Sequence, residues 1–410
     1  MQPLSLASRA EQLGCHAAAL LGFSIPISVA FDNILLVLVA VLWLAAGGLK
    51  QKVEVISTNA VALSALALFC MLAAGLAYGA RNPGDGLGYL GKYSDLLFVP
   101  IFITLFQDAR YRDIALRWFC AAMVLSFVVA EMSLLGMLDG NPVLSRNPGS
   151  MGAFKYSITH GLLAAFAAFL FALLARREER LPYRVLFVVL ALVAVKNVLF
   201  VSVSRTAYIV LVLLSLYFFF VSFRGRNLWI GILLLAAALA AAYAGSPVLK
   251  ERVDKVATEI SEWRASGPSE GSVGLRLEWY RTSLSIVRDH PVLGAGTGSP
   301  PRVYAERAGG QTTRATTNPH NEYLLIAVQT GLAGLALLLH LFWQQVRLSA
   351  RLASPVEVHL ARGLVIMIAV GCLFNSLLLD HTEGLLYAWF TGLLYGGLKS
   401  QPPQSSGPAR

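Results

Sequence analysis

Apolar residues in this chain come in long unbroken runs, separated by short polar clusters. A bilayer core about 30 Å thick takes about 20 helical residues to cross. Twelve runs near that length lie at 13–30, 32–48, 57–79, 87–106, 118–137, 157–175, 185–202, 206–223, 227–244, 321–346, 363–379 and 383–397. The pattern therefore predicts an all-α polytopic membrane protein with about 12 transmembrane helices. Alternate connections are basic: Lys50 and Lys52; Arg110, Arg112 and Arg117; Arg176, Arg177, Arg180 and Arg184; Arg224 and Arg226; Arg347, Arg351 and Arg362. Cytoplasmic loops carry the excess of Lys and Arg, which places these connections and both termini in the cytoplasm. The first run ends at Ile27-Ser28-Val29-Ala30, superficially like a cleaved signal peptide, but a second run follows at once. An uncleaved first helix is expected.

One outer connection is long. The chain divides into helices one to nine (1–244), a loop (245–319), helices ten to twelve (320–398) and a disordered cytoplasmic tail (399–410). Within the loop, Leu249, Val253, Val256, Ile260 and Trp263 recur at helical spacing, with charged residues on the other faces. A second helical pattern runs from Leu275 to Asp289, until Pro291 and the Gly294-Ala295-Gly296-Thr297-Gly298 run break it. Those glycines are no dinucleotide fingerprint, because no strand precedes them and no helix starts from them.

Composition agrees. Of 410 residues, 56% are hydrophobic and only 14% charged, against about 25% charged in soluble domains. The net charge of +10 could suggest nucleic acid. However, the segments assigned to the cytoplasm hold seventeen basic and seven acidic residues, and the remainder holds sixteen of each. The basic balance is thus a topology signal, and no nucleic-acid partner is expected. Cys15, Cys70, Cys120 and Cys372 lie far apart in apolar stretches and read as small hydrophobes.

No Walker loop, HExxH or GxSxG motif is present, nor paired Cys or His at ligand spacing, so no metal or cofactor is expected. The polar residues that remain cluster at the outer helix ends. Ser202-Val203-Ser204-Arg205-Thr206 pins an arginine at the membrane boundary, where it could also be a snorkelling anchor. Arg276 opens the second loop helix and could simply pair with a nearby acid. His320 sits in Asn318-Pro319-His320-Asn321-Glu322. Asn318 as cap, Pro319 at the first position and an early acid make a good helix start, but helix initiation has no use for imidazole.

These residues resemble a known family. His320-Asn321, nine residues, then Gly331-Leu332-Ala333-Gly334 is similar to the signature of bacterial O-antigen ligases and their polymerase relatives. Ser204-Arg205 opening a helix fits, as does Arg276 followed by Trp279 and Pro291-Val292-Leu293-Gly294-Ala295-Gly296. The match covers roughly residues 200–335, in order, and includes the long outer loop. The resemblance implies a GT-C-like glycosyltransferase of the bacterial inner membrane with its active site facing the periplasm. Its donor would be a glycan on undecaprenyl diphosphate and its acceptor a sugar hydroxyl of lipid A–core oligosaccharide, in lipopolysaccharide biosynthesis. The residue types suit that chemistry: arginine offers a forked permanent cation to phosphate oxygens, and histidine can accept a hydroxyl proton near neutral pH. Arg205 and Arg276 are accordingly expected at the diphosphate and His320 at the acceptor hydroxyl, with Ser204 and Asn321 beside them, in a metal-independent inverting displacement.

Four further cations are candidate substrate contacts. Lys92 lies inside the fourth run, where Asp95, three residues on, could neutralise it; Lys196 lies inside the seventh, within snorkelling reach of the outer end. Arg146 and Lys155 follow helix five on the outer side and are equally explained as ordinary loop charges. Asp380-His381 reads as a capping turn, and His160, His340 and His359 read as structural. Membrane lipids are the remaining partner. The rivals are an O-antigen polymerase, a protein O-oligosaccharyltransferase, and a secondary transporter; the last finds little support in helix-centre charges or internal repeats.

Overall fold

The computed structural model describes residues 5–79, 83–138, 153–202, 204–266, 271–309 and 315–398. Among them all regular structure is helical. The helices are α1 (Leu6–Ser24), α2 (Val29–Ala45), α3 (Leu49–Thr58), α4 (Ala60–Ala74), α5 (Pro83–Lys92), α6 (Asp95–Leu105), α7 (Ala109–Leu134), α8 (Ser157–Arg177) and α9 (Leu181–Lys196). They continue with α10 (Arg205–Ser222), α11 (Arg226–Gly245), α12 (Pro247–Ser266), α13 (Ser272–Asp289), α14 (Pro300–Ala308), α15 (Glu322–Ser349), α16 (Pro355–Gly371) and α17 (His381–Tyr395).

Every apolar run contains a helix or a pair of helices, but not every one is a full span. Among the described residues seven helices are long and apolar enough to cross a membrane, or eight if α2 and α3, bent by 114°, form one broken span. α17 shows why length and burial part company. At 1.5 Å per residue its fifteen residues reach about 22 Å, less than the bilayer core. Yet all fourteen residues from Thr382 to Tyr395 are buried, so its surroundings are protein rather than lipid. It forms the central post of the bundle. Gly392 lets α6 approach it, since a Cβ there would stand 2.1 Å from Phe102 Cβ. Small residues at such crossings substitute for the hydrophobic drive that helices lack in lipid. Trp389 Nε1 donates to the Ala18 carbonyl at 2.7 Å, tying α1 to the same post.

Local chemistry sets the helix ends. Asn59 caps α4 by accepting from the Val61 and Ala62 amides, while its Nδ2 donates to the Tyr395 carbonyl at 3.1 Å. Ser354 and Glu357 form a reciprocal capping box at α16 with Pro355 at the first position. Glu357 also receives Arg112 Nε at 3.0 Å.

The run at 87–106 is not one helix. It breaks at Tyr93-Ser94, so the expected neutralisation of Lys92 by Asp95 does not occur: residues three apart share a face only on a continuous helix. Asp95 is buried at the start of α6, whereas Lys92 is exposed with its ammonium over the Tyr89 ring, 5.7 Å from the centroid. The two loop helices lie where the periodicity placed them, as α12 and α13. The short α14 after the glycine run was not anticipated.

Candidate functional site

The segment before α15 folds as a tight polar turn, and its capping differs from the sequence expectation. Asn321, not Asn318, caps the helix, its Oδ1 accepting from the Leu324 amide at 3.0 Å. Its Nδ2 donates to the Leu373 carbonyl at 3.0 Å, so both ends of this amide are engaged within the protein. Asn318 instead holds the turn: its Oδ1 accepts from the His320 amide at 2.8 Å and from Ser376 Oγ at 2.7 Å. Glu322 is buried, with Oε1 receiving the Tyr93 hydroxyl at 2.7 Å and Oε2 the Leu378 amide at 2.8 Å. These bonds force His320 to φ 54°, the one positive-φ non-glycine residue among those described. Such a conformation costs on the order of 1–3 kcal/mol and persists only where the surroundings over-determine it.

α13 lies against this turn. Arg276, Trp279 and Tyr280 are spaced three and four apart and so share one face of the helix. The Tyr280 hydroxyl lies 3.0 Å from the Leu373 carbonyl and 3.3 Å from that of His320, donating to this pair. The Trp279 ring lies 5.7 Å from the imidazole, centroid to centroid, tilted by 36°. Its indole Nε1–H is buried and has no hydrogen-bond partner among the described residues. Neither imidazole nitrogen has one either. Burial, and then the positive charge of Arg276, hold the His320 pKa below its ordinary value, so the ring is neutral at pH 7 and able to accept a proton.

Arg205 approaches from α10. Ser204 caps that helix, its Oγ accepting from the Ala207 amide at 3.3 Å, which places Arg205 at the first helical position. Glu259 on α12 joins the elements. Its Oε1 lies 3.6 Å from Arg205 Nη2, and its Oε2 accepts from the Val273 amide at 2.7 Å in the first turn of α13. Arg276 is half-buried and makes no ion pair among the described residues. Two guanidinium groups and one neutral imidazole thus share this end of the bundle, and among the described residues Glu259 is the only carboxylate in ion-pair range of either guanidinium. That arrangement can bind an anion and accept a proton beside it.

The glycine run supplies the frame. α15 is opened at Gly331 (φ 67°, ψ −163°), where a Cβ would meet the Val292 carbonyl oxygen at 2.2 Å. The segment 291–297 fills the opening: the Ala295 and Gly296 amides donate to the Val328 and Gln329 carbonyls at 2.7 and 2.9 Å. The Leu332 amide in turn donates to the Pro291 carbonyl at 2.8 Å. Thr297 closes the other side, its amide donating to the Gly75 carbonyl at 3.0 Å and its hydroxyl to Leu72 at 2.6 Å. The exit of α13 is thereby locked to α15 and to the end of α4.

The remaining candidates disperse. Lys155 belongs to a second buried cluster, 3.8 Å from Asp32 Oδ2 and 3.2 Å from Thr382 Oγ1, and burial lowers its pKa. It is not an ordinary loop charge. His381 Nε2 stands 4.0 Å from the same Asp32 oxygen, and the Thr159 hydroxyl donates to Glu383 at 2.6 Å. Lys196 ends α9 and pairs with Glu131 of α7 at 2.5 Å rather than snorkelling alone. Lys92 is on α5, whose Tyr89 hydroxyl donates to the Thr317 carbonyl at 2.5 Å, so it borders the His320 turn. Arg146 lies outside the described residues. No group of three His, Cys, Asp or Glu side chains among the described residues is placed to hold a metal.

Sequence reasoning assigned no role to Trp279, Tyr280, Glu259 or Asp32. The spacing from Arg276 to Trp279 and Tyr280 carried a usable signal for the first two. Nothing local distinguishes Glu259 from its charged neighbours on α12.

No curated protein matches the chain. Residues 194–339 match the family model described as O-antigen ligase. The matched stretch runs from the end of α9 through the opened part of α15, and it contains Arg205, Glu259, Arg276 and His320. The match over that segment supports membership of the O-antigen ligase/polymerase superfamily.

Proposed function

We propose that the protein is an O-antigen ligase, moving a glycan from undecaprenyl diphosphate to a sugar hydroxyl of lipid A–core on the periplasmic face. The bundle would cross the inner membrane about twelve times, with both termini cytoplasmic and the α12–α14 segment outside. The observation carrying this reading is a pair of guanidinium groups, of which only Arg205 has a carboxylate in ion-pair range, beside a neutral imidazole whose nitrogens have no partner among the described residues.

A lipid diphosphate carries its own activation, so the chain need only stabilise charge and position the nucleophile. Arg205 and Arg276 bind the diphosphate oxygens and stabilise the charge that grows as the anomeric C–O bond breaks. His320 accepts the acceptor hydroxyl's proton as that oxygen attacks the opposite face, which inverts the anomeric centre. Trp279 and Asn318 fix the ring and its turn. Ser204 and Asn321 act as caps that place Arg205 and His320, and Lys92 adds positive potential at the rim. Lys155 and Lys196 act within their ion pairs.

Purified protein is incubated with lipid-linked glycan and either lipid A–core or a second lipid-linked glycan. Transfer to lipid A–core is the expected result. Product with only the second acceptor makes the protein a polymerase, and product with neither removes the reading.

A further inference from the structure

At the opposite end of the bundle from His320, a groove of about 560 Å³ runs between α9 and α10 with α8 as its floor. That volume is within the range of small-molecule sites, about 300–1,000 Å³. The α9–α10 link is stitched to α8 at the His320 end, where Ser202 Oγ donates to the Ser157 carbonyl at 2.9 Å and His160 meets Asn197 at 3.2 Å. Away from that link the two helices part. The floor between them is lined by Ala165, Ala168, Phe169, Ala172 and Ala175 of α8.

The walls are apolar but the mouth is cationic, lined by Arg176 and Arg184. Arg176 spends Nη1 on the Val221 carbonyl and Ser222 Oγ, at 3.0 and 3.1 Å. Its other nitrogens, and the whole Arg184 guanidinium, have no partner among the described residues. From Ala165 to Arg176 the floor is about 16 Å long at 1.5 Å per residue, close to the roughly 15 Å of one leaflet's hydrocarbon. An apolar slot one leaflet deep, with arginines at the headgroup level, matches a lipid acyl chain below an anionic headgroup.

We propose that this groove binds an anionic glycerophospholipid of the leaflet opposite the candidate active site, with its phosphate on Arg176 and Arg184 and one acyl chain along the α8 alanines. The site is separate from the proposed transfer chemistry and does not depend on it. The matching occupant has a single anionic headgroup at the membrane surface, which a neutral lipid lacks.

The test is native mass spectrometry of the full chain released from nanodiscs of equal phosphatidylglycerol and phosphatidylethanolamine. Wild-type protein should retain phosphatidylglycerol preferentially. Arg184→Gln should weaken that retention roughly five-fold, as expected for one cation near a lipid surface. Ala172→Phe should fill the slot and abolish retention, while Leu233→Phe on lipid-facing α11 should leave it unchanged. Equal retention of both lipids, indifference to Ala172→Phe, or displacement by a polyprenyl phosphate at equal concentration would each overturn the proposal.

Discussion

Two polar clusters sit near the same end of the bundle, and they handle charge in opposite ways. Around Asp32, the cation has its counter-charge inside the fold: Lys155 lies 3.8 Å from one oxygen of a carboxylate with no exposed surface, and Ser24 donates to the other oxygen at 2.6 Å. Around His320, Arg276 has no carboxylate within ion-pair range among the described residues, and Arg205 shares Glu259 with a helix terminus. A compensated buried ion is a structural joint. An uncompensated one is a place where a ligand's charge is accommodated, because leaving it bare in low dielectric is costly. Under the proposed function the first cluster serves stability and the second chemistry, and substitutions can separate the two.

The largest effect is expected at the imidazole. His320→Ala should fold normally and lose about 10²–10⁴-fold in transfer rate, the usual worth of a positioned base. Near-normal transfer by that variant would remove the base from this residue. Lys155→Met should do the reverse. It leaves Asp32 buried without its partner, which typically costs about 3–5 kcal/mol of stability. Thermal unfolding in detergent should fall sharply, and the double variant with Asp32→Asn should recover part of the loss.

Arg276→Ala should cost about 10²–10³-fold, the scale for removing one charge-stabilising donor. Arg276→Lys and Arg205→Lys should recover only part of the rate, since a point charge lacks the planar fork. Wild-type rates from both lysine variants would eliminate bidentate diphosphate binding. The pH profile gives a finer test. Because burial and Arg276 depress the His320 pKa, base-dependent activity persists below pH 6.5 and is lost only as pH falls through the lowered pKa. Arg276→Gln removes one of the two causes, so the acid limb of the residual activity should move upward. An unmoved limb would show that the titrating group is not His320. The smallest effect belongs to Lys196→Met. Its pair with Glu131 is half-exposed, and such pairs contribute about 0–1 kcal/mol.

Much of this organisation was legible in the chain, for reasons that differ by residue. Apolar run length locates helices because a bilayer imposes it, and all twelve runs contain helix. The count of spans was not legible in the same way. α17 is too short to cross alone and is buried by its neighbours, and no window of its own sequence records what surrounds it. His320 stood out because helix initiation has no use for imidazole, whereas Arg205 and Arg276, each explicable locally as an anchor or a surface pair, stood out through the resemblance of their motifs to the ligase family. Lys155, in an outer connection, and Lys196, inside an apolar run, were candidates by position and are paired with Asp32 and Glu131 on distant helices.

The sequence by itself therefore determined the helical membrane architecture, the position of the basic clusters and the candidate groups for binding phosphate or moving a proton. Those properties belong to single residues or to neighbours a few positions apart. Tertiary structure decided which cations are neutralised and which remain open, and that the glycine run near 294 locks into an opened helix at Gly331. Both depend on segments tens to hundreds of residues apart. Coulomb and hydrogen-bond energies depend on separation in space, which the order of residues does not contain.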